Sequence, residues 1–272
     1  FRNKKQYHWR TDPSIEYWNV HPETGDKIKN QESFKNSVDW ISNNIKYDNN
    51  GNAHLFYSFD WPYKGYPNNT IRAPWWSGLT DAYAIIPLLR AADIYGDEKY
   101  AKLANELYLS VTSPYQRGGS QTELDKQIWI EEYLDSQVKN NTELSYVFNG
   151  MVYSTYGIKS YEDYNKITDE NKLQNKLIYS IFNNTHQFND HGWSYYDLYG
   201  TKNNIKYHKV HAILLDNLIH DFPNELNQLD TRKKQEIHAI SNSWNNSIIN
   251  SGIYYTIYGE KSSIAYYNFT FE

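Results

Sequence analysis

Three short blocks in the C-terminal half of the chain each place a tyrosine beside a carboxylate or a histidine. They read IWIEEYL (128–134), SYYDLYG (194–200) and KYHKVHAILL (206–215). A phenol next to such a group can donate or accept a proton at a polar site. Three blocks of the same character predict proton-transfer chemistry on a polar, ring-shaped substrate.

A fourth stretch, VFNGMVYSTYGI (147–158), lies between the first block and the second. The order EEY, FNGMVYS, YDL and YHxxH resembles the C-terminal domain of D-glucuronyl C5-epimerases, best from about Trp75 to about Trp244. Those enzymes invert C5 of glucuronate within a polysaccharide related to heparan. The resemblance implies a uronate-containing polysaccharide as substrate and an (α/α) barrel as the fold.

The resemblance also implies which residues act. It makes the catalytic residues Glu132, Tyr133, Tyr196 and Tyr207. Tyr195 flanks Tyr196 and becomes a candidate substrate contact, as does His208, which completes the family's tyrosine–histidine pair. The alternatives are a solvated acidic helix end for the first block and an aromatic hairpin on the rim of the fold for the second.

His211 matches a second histidine of the family motif and is a further candidate for substrate binding. It shares a helical face with His208 at spacing i, i+3. A buried core histidine is the alternative. Two histidines at this spacing could also hold a metal, but no neighbouring carboxylate cluster supports one, so no metal site is predicted.

Three more residues are candidate contacts for a sugar. Asn149 and Tyr153 lie in the FNGMVYS stretch, where Asn149 could bond a hydroxyl group or cap a helix. Trp76 stands at the predicted start of a helix, as a stacking platform or as a hydrophobic anchor.

The substrate carboxylate needs a partner that the family pattern does not supply here. An arginine follows YDL in the family, whereas Tyr199 follows it in this chain. The candidate cations are Arg72 and Arg117, in loop-like stretches, and Lys206 and Lys209, which flank Tyr207; spacing alone assigns none of them. A carbanion beside a carboxylate must be stabilised by a cation, by protonated groups or by strong hydrogen-bond donors. A tyrosine serves as the base only if a nearby cation lowers its pKa from about 10.

Composition excludes several classes of protein. The 272 residues carry a net charge of -5 with no basic run, which argues against a nucleic-acid partner. No apolar stretch is long enough to span a bilayer. Without cysteine there are no disulfides, and without GxGxxG or a P-loop we expect no nucleotide cofactor, so the predicted chemistry is cofactor-free. The aromatic content of 17% suits stacking on sugar rings, although most single tyrosines are expected to fill a helical core.

The sequence says less about the organism, the location and the oligomeric state of the protein. A first residue of phenylalanine indicates a trimmed or processed chain, and abundant Asn, Lys, Ile and Tyr favours a microbial source. An exported or envelope-associated location is favoured slightly, and a homodimer is left open.

The elements that must position these residues are mostly helices. Periodicity predicts helices over 33–45, 75–95, 97–111, 142–156, 160–182, 207–220 and 231–250. An extended arm over 1–31, short strands within 47–66, a hairpin-like loop over 183–204 and a strand-like tail over 251–272 complete the prediction. Consecutive helix pairs predict a mainly α fold, an (α/α) toroid or incomplete barrel of helical hairpins with short β-hairpins near the N-terminal arm and the C-terminus. Residues 1–50 form the arm and first helix, and 51–272 the catalytic domain.

Two other functions fit the same residues. A polysaccharide lyase or uronyl hydrolase on an (α/α) toroid would share the base, and hydrolysis would pair Glu132 with Asp197 or Asp81. A non-catalytic glycan-binding module would need no convergence of Tyr133, Tyr196 and Tyr207.

Overall fold

The computed structural model describes residues 27–168, 170 and 172–250. Eight α-helices lie in these ranges: α1 Lys27–Asn44, α2 Gly78–Tyr95, α3 Glu98–Val111, α4 Phe148–Tyr164, α5 Leu173–Asn184, α6 Ile205–Asp221, α7 Pro223–Gln228 and α8 Thr231–Asn250. The strands are short: β1 Ile45–Tyr47, β2 Ala53–Leu55, β3 Trp61–Pro62, β4 Thr70–Ile71, β5 Trp76–Ser77, β6 Gln121–Leu124, β7 Gln127–Ile130, β8 Tyr133–Leu134, β9 Asn189–Asp190 and β10 Trp193–Ser194.

Helical hairpins organise the fold. Helices α2 and α3 pack together, as do α4 and α5, and α6 packs on α8. The first helices of these pairs also contact one another, α2 with α4 and α4 with α6. The mainly α prediction is confirmed. Within the described ranges the strands form only two-stranded antiparallel sheets, and no barrel closes.

The predicted N-terminal β-hairpins are present, since β1 pairs with β2 and β3 with β4. The predicted strand-like tail over 251–272 lies outside the described residues, as does most of the predicted arm. Residues 27–31 of that arm belong to α1 instead. The division at residue 50 stays a prediction, and α1 packs against α2 across it.

Local capping signals set the boundaries of α2 and α3. Ser77 accepts a hydrogen bond from the Thr80 backbone N–H (3.2 Å), and Gly96 ends α2 in the left-handed region at φ 62°. Asp97 caps α3 through the Lys99 N–H. The predicted start of α2 at residue 75 is wrong by three residues, because Trp76 and Ser77 pair with Leu134 and Tyr133 as strand β5.

Helix α4 corrects a second prediction. Gly157 was expected to end a helix, but it lies inside α4, which runs on to Tyr164. A Cβ at this position would lie 2.0 Å from the carbonyl oxygen of Ala82, so glycine is needed for the approach of α4 to α2. The break falls later, where the Glu162 carboxylate accepts the N–H groups of Leu173 (2.6 Å) and Gln174 (3.1 Å) at the start of α5.

Tyrosines fill part of the helical core, as composition predicts. Tyr100 and Tyr156 are buried, and their hydroxyls donate to Asp39 (2.5 Å) and Asp221 (2.8 Å). The core thus uses the phenol ring for packing while a carboxylate satisfies the hydroxyl.

Candidate active site

Two sets of backbone contacts bring the three tyrosine blocks together. Strand β8, which carries Tyr133, pairs with β5 directly before α2. The loop after β10 is joined to the start of α4, because the Phe148 N–H donates to the Tyr196 carbonyl (3.1 Å) and the Leu198 N–H to the Ser145 carbonyl (2.9 Å). Helix α6 then begins at Ile205, with Asn204 accepting the N–H of Tyr207.

The side chains of Tyr133, Tyr196 and Tyr207 consequently form one cluster. The hydroxyls of Tyr133 and Tyr196 are hydrogen-bonded at 2.7 Å. The rings of Tyr196 and Tyr207 meet edge to face, with centroids 5.4 Å apart. Tyr207 is 39% exposed, so the cluster reaches solvent at this residue.

Glu132 lies buried beside the two hydrogen-bonded hydroxyls. Its Oε2 atom accepts no hydrogen bond from the described residues. Burial, and to a lesser degree the neighbouring Glu131, raises the pKa of Glu132 to about 8, although the Tyr133 and Tyr196 hydroxyls favour its charged form. A buried carboxyl with this pKa is mostly protonated at pH 7 and is a stronger base than an ordinary glutamate once it ionises.

Gly150 makes room for this carboxyl. A Cβ at residue 150 would lie 2.3 Å from Glu132 Oε2 and 2.8 Å from Glu132 Cβ. Any residue larger than glycine at position 150, in the first turn of α4, would therefore displace Glu132. The glycine of the FNG stretch therefore shapes the site directly.

Glu131 points into a different environment from its neighbour. It is fully buried and accepts hydrogen bonds from the Ser145 hydroxyl and the Tyr146 N–H. Burial raises its pKa to about 7 against these favourable bonds. Glu131 thus holds the turn before α4, whereas Glu132 keeps an unbonded oxygen.

The electrostatics of the cluster differ from those that a tyrosine base requires. Burial raises the pKa of Tyr133 and of Tyr196 well above the usual range, and the Glu132 charge raises both further. Among the described residues, the charges with the largest effect on these two hydroxyls are negative, Glu132 first, and they raise the tyrosine pKa, whereas a tyrosine base needs a cation that lowers it. Tyr133 and Tyr196 are therefore neutral hydrogen-bond donors in the free protein.

These blocks belong to a known family. A family model described as "D-glucuronyl C5-epimerase C-terminus" matches residues 50–244, well over half of the chain. The chain belongs to the D-glucuronyl C5-epimerase family. It is 32% identical over 97 residues to a protein named D-glucuronyl C5-epimerase from Caenorhabditis elegans, a match that covers 36% of this chain and 15% of the worm protein.

The two histidines of the C5-epimerase block lie behind the tyrosines in a buried network. His208 Nδ1 accepts the Ser194 N–H (3.0 Å), so its proton is on Nε2, which faces the Ser247 hydroxyl (2.8 Å). His211 lies between the side chains of Asn203 and Asn149, each 3.1 Å away.

This network fixes the protonation of both rings. Burial lowers the pKa of His208 to about 4 and that of His211 to about 3, so both are neutral at pH 7. All four ring nitrogens and the Asn149 carbonyl contact protein groups. The His211 ring lies nearly parallel to that of Tyr196, with centroids 6.3 Å apart, so this network packs against the cluster. A substrate-binding role of His208, His211 and Asn149 stays a prediction. In the ranges described, no group of three or more metal-ligating side chains occurs.

Trp76 and Tyr153 lie near the cluster on different elements. Trp76 is half-buried on β5, opposite Leu134, and its Nε1–H donates to the Gly119 carbonyl (3.2 Å). Tyr153 lies one helical turn beyond Gly150 and meets Tyr83 edge to face at 5.3 Å.

Within the described ranges, the contacts of Tyr195, Arg72 and Arg117 lie away from the cluster. Tyr195 is next to Tyr196 in sequence, but its hydroxyl hydrogen-bonds the Asp190 carboxylate of the β9–β10 hairpin and helps to lower the pKa of that group. The Arg72 guanidinium is paired with Asp60 at the surface (2.5 Å). Arg117 is exposed, and its carbonyl accepts bonds from Asn50 and Asn52.

Sequence reasoning missed two contributors from the stretch before α2. Tyr63 donates to the buried Asp197 (2.6 Å) and packs edge-on against Tyr133 at 5.2 Å. Tyr57 lies within range of the Glu132 charge, which raises the pKa of its hydroxyl in addition to burial. In the sequence, only the high aromatic content of this stretch pointed to these residues, because none of the four sequence blocks includes them.

A shallow cavity of about 510 Å³ elsewhere in the described ranges lies on α1 and is lined by Asn36, Ser37, Trp40 and Ile41, which carry no group for acid–base chemistry. No helix in the part of the chain that the structure describes is long and apolar enough to cross a membrane.

Proposed function

We propose that this protein inverts C5 of D-glucuronate to L-iduronate within a uronate-containing polysaccharide, by direct removal and return of the C5 proton without an organic cofactor. The observation that carries the proposal is the single cluster of a buried carboxyl, two hydrogen-bonded phenols and a third, exposed phenol: Glu132, Tyr133, Tyr196 and Tyr207. Membership of the C5-epimerase family supports the reaction type.

Glu132 is the base in this proposal. Its raised pKa, about 8, makes its ionised form basic enough to take a proton from carbon better than an ordinary glutamate would. Its Oε2 accepts no hydrogen bond from the described residues, so no donor there competes for the lone pairs of this oxygen. Gly150 leaves the space in which this oxygen sits.

Tyr207 is the acid on the opposite face. The Tyr196 hydroxyl bonds that of Tyr133 (2.7 Å) and its ring packs on Tyr207 (5.4 Å), which supports a site shared by Glu132 and Tyr207. The exposure of Tyr207 lets its phenol recover a proton from water after each turnover. With an acid and a base on two faces, the reaction runs in both directions.

The neutral hydroxyls of Tyr133 and Tyr196 stabilise the intermediate. Removal of the C5 proton pushes charge onto the substrate carboxyl group, which becomes an enediolate. Preorganised donors in a buried site stabilise such charge strongly, and phenols do so without adding a negative charge of their own. This replaces the arginine that the family pattern would place after YDL.

The two carboxylates that could pair with Glu132 in hydrolysis are both held in other hydrogen bonds. Asp197 accepts bonds from the Tyr63 hydroxyl and the Thr201 N–H. Asp81 is buried against His54 (2.7 Å) and the Leu55 N–H (2.9 Å). Neither is a free partner for Glu132, which favours epimerisation over glycoside hydrolysis.

The deciding experiment is incubation with heparosan, a glucuronate polymer, in deuterated water, followed by proton NMR. Deuterium at C5 together with iduronate signals would support epimerase activity. An unsaturated product that absorbs in the ultraviolet would instead mean a lyase, which starts from the same proton abstraction. A wild type without exchange or product would refute the proposal for this polymer, with Glu132→Gln as the matched inactive control.

A further inference from the structure

An exposed row of aromatic rings starts beside the active cluster. Tyr57, Phe59 and Trp61 stand at every second position of the chain, and their rings contact one another. Phe59 contacts Tyr57 at 5.9 Å and Trp61 at 6.2 Å between ring centroids. Phe59 is 49% and Trp61 50% exposed. We call these three residues the aromatic strip.

The strip is continuous with the catalytic residues. Tyr57 stacks flat on Trp75, with centroids 3.9 Å apart, and Trp75 contacts the Tyr133 ring at 5.9 Å. The Tyr57 hydroxyl is hydrogen-bonded to Thr80 in the first turn of α2 (2.8 Å). The inner end of the strip thus lies next to Glu132 and Tyr133, and its outer end lies in solvent.

Charged groups of this segment turn away from the strip. Asp60 lies between Phe59 and Trp61 in sequence, but its carboxylate accepts the Ala73 N–H (2.9 Å) and pairs with Arg72. The surface of the strip is therefore made of ring faces and edges. A contiguous exposed apolar surface of this kind indicates a binding site, and two neighbouring half-exposed rings suit the apolar faces of sugars.

We propose that the aromatic strip is a subsite for the sugar units that flank the reacting glucuronate in the same polysaccharide chain. This inference rests on the proposed function, because it takes the chain held by the strip to be the one that reacts at Glu132. Recognition by ring faces makes the contribution of the strip to affinity insensitive to salt, unlike the binding of the substrate carboxylates.

The test compares Trp61→Ala with Trp40→Ala, which removes an equally exposed tryptophan (61%) from α1, away from the cluster. Binding of heparosan is measured by calorimetry at two salt concentrations, and turnover by C5 deuterium incorporation. Loss of one stacking ring is expected to weaken binding and raise KM by about 3- to 10-fold, with kcat and the salt dependence unchanged. Trp61→Phe, which keeps a ring, is expected to recover most of the affinity.

The outcomes separate the subsite from the reaction. Weakened binding in Trp61→Ala but not in Trp40→Ala supports the subsite, even if the wild type proves to be a lyase or to be inactive. Equal affinities of Trp61→Ala and wild type overturn it, even if epimerisation is observed. A wild type that does not bind heparosan overturns it as well. A fall in kcat for Trp61→Ala without a change in KM would also contradict a binding role.

Discussion

Replacing Glu132 with glutamine should stabilise the fold while abolishing the reaction. The carboxyl has an ordinary pKa of 4.5, and burial raises it to about 8 in the folded protein. Between these values the folded state holds a proton that the unfolded chain has already lost. The free energy of unfolding of the wild type therefore falls as the pH rises from 5 to 8. Glutamine has the shape of the protonated group and no such titration.

The size of the effect follows from the same two pKa values. Integrating the difference in bound protons between pH 5 and pH 8 gives about 3 kcal/mol of stability lost through Glu132 alone. One kcal/mol corresponds to a Tm change of about 2–4 °C for a chain of this size, so the advantage of the variant should widen by about 6–12 °C over this range.

The assay is thermal unfolding of wild type and Glu132→Gln in matched buffers from pH 5 to 8, followed by circular dichroism. Glu123→Gln, at an exposed position on β6, is the control for loss of one negative charge. A Tm difference between wild type and Glu132→Gln that stays constant with pH would refute the buried, proton-holding carboxyl.

The same carboxyl predicts a pH dependence of activity. The kcat/KM of the wild type should rise toward pH 8 as Glu132 ionises, and the kcat/KM of the variant should be lower by about 10²- to 10⁴-fold.

Three further substitutions test neighbouring parts of the site, and a fourth, Gly157→Ala, is a packing control. Tyr196→Phe removes a hydroxyl that donates to the developing charge, so C5 exchange should fall by about 10²- to 10³-fold with an unchanged far-ultraviolet circular dichroism spectrum, and normal turnover would exclude this role. Gly150→Ala should displace Glu132 and cut turnover by about 10²-fold with little change in Tm, whereas Gly157→Ala should lower stability by about 1–3 kcal/mol through its clash with α2. If both glycine variants have the same ratio of activity to stability, the assigned contacts are wrong. Tyr207→Phe should leave slow deuterium exchange at C5 but yield no iduronate, because only the face of the base remains active; iduronate formed at the wild-type rate would reject Tyr207 as the acid.

The end of α2 and the start of α3 were predictable from local signals. Gly96 and Asp97 bound α2 and α3 as expected, because a left-handed C-cap and an N-cap carboxylate depend on a few neighbouring residues. Gly157 has the same appearance in sequence as Gly96. Its purpose is the close approach of α2, which no local pattern encodes.

The identity of the catalytic candidates was predictable from the sequence, but the electrostatic environment that sets their pKa was not. The order of the tyrosine blocks singled out Glu132, Tyr133 and Tyr196. Whether a tyrosine there has a lowered or a raised pKa depends on which charges lie within a few ångströms and on how deeply the group is buried. Those are properties of packing between β8, α4 and the loop after β10.

The sequence by itself therefore determined the mainly α class, the family and the residues that could move a proton. Such information is carried by periodicity, capping and short blocks of neighbours. Only the tertiary structure decided that burial raises the pKa of Glu132 and lowers that of His208 and His211, and that Tyr63 packs on Tyr133 and bonds Asp197. Each of these depends on the removal of water and on contacts between segments far apart in the chain, and desolvation has no signature in any one segment.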